Sequence, residues 1–203
     1  MRGTGNTKIT GSTSWSKGAW VLTGSDISCS GNIENLLDYQ TVANGEHPTM
    51  TTYCYSNMFN GCKGLISAPE LSATALTNYC YYCMFSSCDD LKYAPQINAT
   101  TLASNCCQNM FSSSKNLETL PKLHATTLAY QCYRNMFSGC SKIKLSSTPT
   151  DEYINEYRIP TSGTGTMGTD SLAAMFKNTG GTYTGSSGTV SINTTYYTSN
   201  TVV

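Results

Sequence analysis

The stretch from Cys80 to Asn105 reads CYYCMFSSCDDLKYAPQINATTLASN, and the segments on both sides of it repeat its pattern. Its opening, a cysteine followed four residues later by a Met-Phe pair, occurs four times at a step of 26 residues. The leading cysteines are Cys54, Cys80, Cys106 and Cys132, and the pairs are Met58-Phe59, Met84-Phe85, Met110-Phe111 and Met136-Phe137. A fixed step over this many positions indicates a repeat architecture.

One unit predicts a helix followed by a short strand. In the third unit Leu102, Cys106 and Met110 recur every four residues with Phe111 beside them, which favours one apolar stripe of a helix. The segment that follows contains Pro121, which cannot donate to an interior ladder, so the strand is expected to consist of the two to four residues that precede the proline. Such a unit cannot bury its own apolar stripe, so we expect the units to stack.

The units share the pattern Cys-Tyr-x-x-Met-Phe-x-x-Cys-x-x-Leu-x-x-Ala-Pro-x-Leu-x-Ala-Thr-x-Leu. This pattern resembles the BspA-like leucine-rich repeats of gut-bacterial surface proteins and of tail-associated proteins of their phages, over about residues 25 to 203. The resemblance implies an α/β repeat, namely a leucine-rich-repeat-like solenoid of four 26-residue units, each a helix plus a short strand, with β-rich terminal caps. It also implies an extracellular location, on a bacterial surface or a virion, and a role in adhesion or receptor binding.

The flanks divide the chain into three predicted regions. Residues 1–50 form an N-terminal β-rich cap, with strands such as 19–23 and a short helix near 33–38, because apolar residues alternate there between Gly and Ser. Residues 51–148 form the four-unit solenoid. Residues 149–203 form a degenerate repeat, whose Met175-Phe176 echoes the repeat motif 39 residues after the last pair, followed by a β-like cap.

The composition excludes several function classes. The 203 residues include 12 acidic and 12 basic side chains, so the neutral chain has no long-range field for nucleic acid or an anionic membrane surface. No run of about 18 apolar residues predicts a membrane span. The first residues contain no apolar leader, which leaves two expectations open: the chain is not exported, or it is a piece of a longer protein.

The ten cysteines allow three interpretations. They are small buried apolar residues stacked unit on unit, or they form disulfides between neighbouring units, or they take part in metal or redox chemistry. A bond from Cys54 to Cys62 is disfavoured, because eight helical residues span about 12 Å against about 4.4–6.8 Å between bonded Cα atoms. Cys80-Tyr81-Tyr82-Cys83 and Cys106-Cys107 lack a second pair at zinc-ligand spacing, so we expect no metal and no cofactor.

Catalytic signatures are missing from the sequence. It contains no G-x-S-x-G, H-E-x-x-H or P-loop motif. His47 lies in a predicted turn, and His124 occupies a column that holds Ser72 and Asn98 in earlier units, which is typical of a surface position. The sequence therefore predicts that the chain is not an enzyme. A glycan-cleaving enzyme would need two carboxylates facing one groove.

The positions that change from unit to unit are expected to face solvent and to offer the binding surface. Around the predicted strand they form columns 66/92/118, 67/93/119 and 70/96/122, which would lie side by side on one solenoid face. The candidate ligand-binding residues are Glu70, Lys92, Tyr93, Gln96, Glu118, Thr119 and Lys122. Tyr55, Tyr81, Tyr82 and Tyr133 are a second candidate set, with packing between units as the alternative.

These features predict a non-enzymatic binding or adhesion module that recognises a protein or a glycan. The alternative is a structural spacer in a larger fibre or virion, and the third and least favoured hypothesis is an enzyme acting on glycans. The expected partners are therefore a protein or glycan ligand, with a homo-oligomer or a parent assembly as the setting, and neither nucleic acid nor membrane insertion is expected.

Overall fold

Regular secondary structure is sparse in the computed structural model, which describes residues 1–10, 20–121, 123–125, 127–145 and 171–181. Its elements in chain order are β1 (Ile27–Ser28), α1 (Asn35–Ala43), β2 (Leu65–Ser67), β3 (Lys144–Leu145) and β4 (Gly180–Gly181). β1 pairs with β2 in parallel, and β3 pairs with β4 in parallel. Most of the remaining described chain consists of turns that recur at the 26-residue step.

The helices predicted within the repeat are wrong for the described units. Residues 53–62, 79–88, 105–114 and 131–140 are chains of successive turns, and we call each of them a turn ribbon. Every fourth residue of a ribbon has a positive φ, as at Asn105 (58°), Asn109 (56°) and Ser113 (64°) in the third. A left-handed residue cannot continue a right-handed helix, so the ribbon replaces it.

The backbone hydrogen bonds explain why the ribbon forms. The N–H groups of Tyr81 and Phe85 donate to the carbonyl oxygens of Cys106 and Met110 in the next unit, both at 2.8 Å. The N–H groups between them close local turns, as when Met84 donates to the Tyr81 carbonyl at 3.2 Å. Donors thus alternate between the ribbon itself and the next unit, whereas a helix would satisfy them all internally.

The Met-Phe pairs form the core of the stack. The rings of successive units lie nearly parallel, with centroids 5.3 to 5.6 Å apart, in the column Phe59, Phe85, Phe111, Phe137 and Phe176. Trp20 closes one end of this column, edge-on to Phe59 at 5.9 Å. Each of the five Phe side chains is at most 2% exposed, and its burial stabilises the fold by roughly 1.5–3 kcal/mol.

A further layer follows the fourth ribbon. Gly139 and Phe137 donate backbone hydrogen bonds to the carbonyl oxygens of Lys177 (2.7 Å) and Met175 (2.9 Å). The predicted echo of the repeat at Met175-Phe176 therefore packs as a repeat unit does, although it is a run of turns with a positive φ at Ala174 rather than a helix. The insertion and the closing cap predicted within 146–170 and 182–203 lie outside the described residues.

The predicted strands are formed in part. β2 lies directly before Pro69, where the strand of the first unit is expected. In the next two units the corresponding residues form only an isolated parallel bridge between Tyr93 and Thr119. Parallel bridges also join Leu71 to Ile97 and then Ile97 to the equivalent residue 123, so equivalent positions of successive units lie side by side.

The N-terminal region covers the first ribbon. The N–H groups of Ile9 and Trp20 donate to the carbonyl oxygens of Cys54 (2.9 Å) and Met58 (2.8 Å). In the later units the equivalent carbonyl oxygens accept from the preceding ribbon.

The helix predicted near 33–38 overlaps α1, which begins at Asn35, ends at Ala43 and has a non-helical backbone at Asp38. The predicted strand at 19–23 is absent from its described part, 20–23, because Trp20 bonds only the Met58 carbonyl and the Cys62 thiol and forms no ladder. β1 is the one strand within the described parts of residues 1–50.

Candidate binding surface

The predicted ligand-binding residues lie at the surface wherever the structure describes them. Tyr93 is 62% exposed, and Glu70, Lys92, Gln96 and Glu118 are exposed. Thr119 is half-buried, and Lys122 lies outside the described residues. The Met-Phe pairs of the same units are buried, and the described positions of the predicted columns are exposed except Ser67 and Thr119, which are half-buried.

A depression of about 470 Å³ brings together two of these candidates with four other residues. Its lining comprises Asp26, Ile66, Asp90, Lys92, Tyr93 and Asn116, and we call it the Tyr93 cleft. Because Ile66 and Lys92 are equivalent positions of adjacent units, and Asp90 and Asn116 likewise, the stacking of the units creates the cleft. Its volume is within the range of small-ligand sites, roughly 300–1,000 Å³.

Asp26 joins this cleft because the chain before β1 lies directly against the first unit. A side-chain carbon at Gly64 would lie 2.0 Å from the Gly24 carbonyl oxygen, so only glycine allows this close approach. Ile27 donates a 2.8 Å hydrogen bond to the Gly64 carbonyl, which holds β1 in place. The carboxylate of Asp26 is thereby positioned at the edge of the repeat surface.

The polar groups of the Tyr93 cleft are available to a ligand. Within the described part of the chain, the side chains of Asp26, Asp90, Lys92, Tyr93 and Asn116 form neither a hydrogen bond nor an ion pair. Two carboxylates, an ammonium, an amide and a phenol thus surround a space into which a ligand could bring its own donors and acceptors.

A second depression, of about 240 Å³, holds two other candidates. Glu70 and Gln96 line it together with Pro69 and Pro95, which occupy the same position in the first two units. The predicted patch is therefore divided into two depressions rather than being one continuous surface.

Glu118 and Thr119 line neither depression. The Glu118 carboxylate lies 3.6 Å from the Lys142 ammonium, and both side chains are about half-exposed, so this pair contributes at most about 1 kcal/mol. The backbone of Glu118 donates a 2.8 Å hydrogen bond to the Lys92 carbonyl, and Thr119 pairs with Tyr93. These two residues support the cleft through the backbone.

Sequence reasoning missed Asp26 and Asn116. Asn116 belongs to a column that reads Gly64, Asp90, Asn116 and Lys142. That column also changes from unit to unit, so the same comparison could have identified it. Asp26 lies before the repeat, where no unit-to-unit comparison reaches.

The second candidate set of tyrosines is buried. Tyr55, Tyr81 and Tyr133 have no exposed surface and Tyr82 is 4% exposed. The alternative of packing between units is therefore confirmed, and the hypothesis of ligand contact through these rings is wrong. Tyr130, by contrast, is 48% exposed and lines neither depression.

Seven of the ten cysteines form two buried columns of free thiols. The first cysteine column is Cys54, Cys80, Cys106 and Cys132, and the second is Cys62, Cys88, Ser114 and Cys140. Burial raises the pKa of Cys54 and of Cys140 to about 12. Such thiols stay protonated at neutral pH and are poor nucleophiles.

Burial also raises the pKa of the two thiols of the C-x-x-C motif, Cys80 and Cys83. The pKa of Cys80 lies well above its ordinary value, and that of Cys83 is raised to about 11. A thiol that attacks a disulfide in such a motif has a lowered pKa instead, so these values favour the packing interpretation over redox chemistry.

The two histidines have different surroundings. His47 Nδ1 lies 2.8 Å from Oε2 of Glu34, whose side chain is completely buried, while the imidazole is 43% exposed. The His47 imidazole therefore forms a hydrogen bond with a buried carboxylate at the N-terminal end of α1. His124 is exposed, as its column predicts.

Two carboxylates, those of Asp26 and Asp90, line one cleft, and a glycan-cleaving enzyme would also need two carboxylates in one groove. Both residues are exposed. A general acid of that chemistry depends on a desolvated carboxyl, so the cleft is better suited to binding. Within the described residues no cluster of His, Cys, Asp and Glu could hold a metal ion, and no helix there could cross a membrane.

A scan against protein-family models, a search of curated proteins and a search of solved structures give no match to this chain.

Proposed function

We propose that this chain is a non-enzymatic binding module, displayed on a bacterial surface or a phage particle, that recognises a protein or a glycan. It would bind through the exposed face of a leucine-rich-repeat-like solenoid whose layers are turn ribbons. The observation that carries the proposal is the Tyr93 cleft, with its exposed aromatic ring and its polar side chains without partners among the described residues.

The stack supports this proposal because its units are held to one another by hydrogen bonds and by ring packing. Alternate backbone N–H groups of each ribbon bond the next unit, and the Phe column lies beneath them. Binding groups placed on such a framework keep their relative positions, which lowers the entropy lost on binding. Tyr93 itself is held by its backbone bridge to Thr119.

The surface supports it as well. The residues that vary between units gather at the face of the cleft, whereas the packed columns vary little. The Tyr93 ring is 62% exposed beside acidic and basic side chains, and an aromatic ring in such a setting is the kind of group that anchors a ligand.

Binding of the purified full chain to a glycan array and to whole gut-bacterial cells tests the proposal. Tyr93→Ala should weaken binding by about tenfold or more, because an aromatic anchor at the centre of a site carries much of its affinity. It should leave the free energy of unfolding within about 0.5 kcal/mol of the parent, since the ring is exposed.

Tyr130→Ala is the matched control, because it removes an exposed tyrosine outside both depressions. Equal losses in the two variants would contradict a role for the Tyr93 cleft. If the chain bound nothing and instead assembled with itself or with a virion protein, the structural spacer would replace the binding module.

A further inference from the structure

Resting on the proposed function, we infer that the Tyr93 cleft takes an uncharged pyranose residue of a neutral glycan. The inference follows from the kinds of groups that line the cleft and from the state of the Tyr93 ring.

The Tyr93 ring has room for a sugar. Its neighbours in the same column are Ser67 and Thr119, whose side chains are too short to cover a phenol. Tyr53 and Tyr79, by contrast, stack on each other with centroids 4.6 Å apart. No ring contact of Tyr93 exists among the described residues, and the carbon-hydrogen face of a pyranose matches an uncovered aromatic face.

The polar groups suit hydroxyls, which both donate and accept hydrogen bonds. The carboxylates of Asp26 and Asp90 only accept, the Lys92 ammonium only donates, and the Asn116 amide does both. Each of these groups can bond a sugar hydroxyl, so one pyranose could satisfy donors and acceptors from three sides of the cleft.

The charges bear differently on the other ligand classes. Asp26 and Asp90 outnumber Lys92, so the lining would repel a sulfated or sialylated sugar. A lysine or arginine side chain would be attracted by the two carboxylates and repelled by Lys92, so a cationic peptide is the competing ligand. A purely apolar peptide side chain would desolvate charged groups without bonding them. A neutral pyranose meets no charge repulsion and matches both the ring and the polar groups.

The test is titration of the full chain with neutral oligosaccharides, with a sialylated oligosaccharide and with a lysine-rich peptide. We expect saturable binding of at least one neutral oligosaccharide, which changes little between low and high salt because the ligand carries no charge. Tyr93→Ala should weaken that binding by about tenfold or more, and Tyr130→Ala should not.

Lys92→Met separates the ligand classes, because it removes the ammonium and keeps most of the side-chain volume. It should weaken the binding of a neutral glycan by several-fold through the lost donor, whereas a cationic peptide would bind more tightly. Thermal unfolding of each variant verifies that the chain is folded.

The titrations distinguish failure of the sugar assignment from failure of the proposed binding function. Binding of cells or proteins through Tyr93, without any neutral oligosaccharide, overturns the sugar assignment and leaves the proposed function standing. Preference for the sialylated sugar or the lysine-rich peptide also overturns it. The absence of any ligand overturns both proposals.

Discussion

Ser114 replaces a cysteine in the second cysteine column, and its contacts explain why the exchange is allowed. The thiols of Cys88 and Cys140 donate to the carbonyl oxygens of Phe59 (3.1 Å) and Phe111 (3.0 Å) in the preceding unit. The Ser114 hydroxyl donates to the Phe85 carbonyl at 2.8 Å in the same way. The column therefore selects a small hydrogen-bond donor rather than a cysteine as such.

Serine substitutions in the two columns should have different effects on stability. Cys88→Ser should keep the free energy of unfolding within about 1 kcal/mol of the parent, because the hydroxyl reproduces the bond of Ser114. Cys80→Ser should cost about 1–3 kcal/mol, because the Cys80 thiol donates to no carbonyl among the described residues and a buried hydroxyl would lack an acceptor.

Urea unfolding of both variants measures this difference. Equal destabilisation by the two substitutions would show that the thiol hydrogen bond is irrelevant to the second column.

Asp38 makes the N-terminal region sensitive to acid. Its carboxylate accepts hydrogen bonds from the backbone N–H groups of Gly5 (2.8 Å), Gln40 (3.0 Å) and Thr41 (3.1 Å). The bond from Gly5 is the largest cause that lowers the pKa of Asp38 below its ordinary value of 3.8, followed by the bond from Thr41. These bonds favour the charged form in the folded chain.

Because the folded pKa is lowered, the contribution of Asp38 to stability is present above pH 3.8 and is lost as the pH falls through the folded pKa. Asp38→Asn, which cannot titrate, should lack this acid-dependent part. The measurement is the unfolding temperature of parent and variant as a function of pH. Parallel curves through the acid range would contradict the assignment.

The turn ribbon explains the sequence better than the helix that the apolar spacing predicts. Its buried column of Cys54, Met58 and Cys62 keeps a strict step of four residues, whereas a helical face drifts by about 40° over four residues at about 3.6 residues per turn. The left-handed positions of the second to fourth ribbons carry Tyr, Cys, Ser, Asn, Gln or Gly and no β-branched residue. Asn and Gly tolerate a positive φ best, and β-branched residues, which tolerate it least, do not occur there.

The position of Ser113 tests this backbone argument. It has a φ of 64° and an exposed side chain, and the equivalent residues Gly61 and Gly139 are glycines. Ser113→Gly should leave stability unchanged or raise it by up to about 1 kcal/mol, and Ser113→Val should lower it by roughly 1–2 kcal/mol.

Thermal unfolding of the two Ser113 variants gives the answer. If valine were tolerated as well as glycine, the residue could not be left-handed in the folded chain.

The repeat, the buried Met-Phe pairs and the exposed strand-face columns could be predicted from the sequence, because a 26-residue step separates fixed from changing positions. The ribbon could not, since an apolar residue every fourth position is compatible with a helix, and only bonds to residues 25 further along decide between them. Asp26 could not be predicted either, because its place in the cleft depends on the close approach of Gly24 to Gly64.

At the scale of the molecule, the units are linked twice. Backbone bonds connect each ribbon to the next from residue 53 to residue 177, and the Phe column continues beneath them from Phe59 to Phe176. Each stacked ring pair adds about 0.5–1.5 kcal/mol beyond its buried area. Since no unit is complete alone, we expect neighbouring units to unfold together.

The Tyr93 cleft depends on this linkage. Asp26 comes from the N-terminal region, Ile66 from the first unit, and Asn116 from the third. A change in the register of one unit would move these groups apart, so we infer that the cleft depends on the hydrogen bonds between ribbons.

Scalar couplings across hydrogen bonds, recorded by NMR on the isotopically labelled full chain, test the bonds between ribbons most directly. The ribbons predict couplings from the amide nitrogens of Tyr81, Cys83 and Phe85 to the carbonyl carbons of Cys106, Gln108 and Met110. The intervening residue Met84 should couple to Tyr81, three residues earlier. Couplings from every one of these amides to the residue four positions earlier would mean that the segments are helices, and would contradict the account.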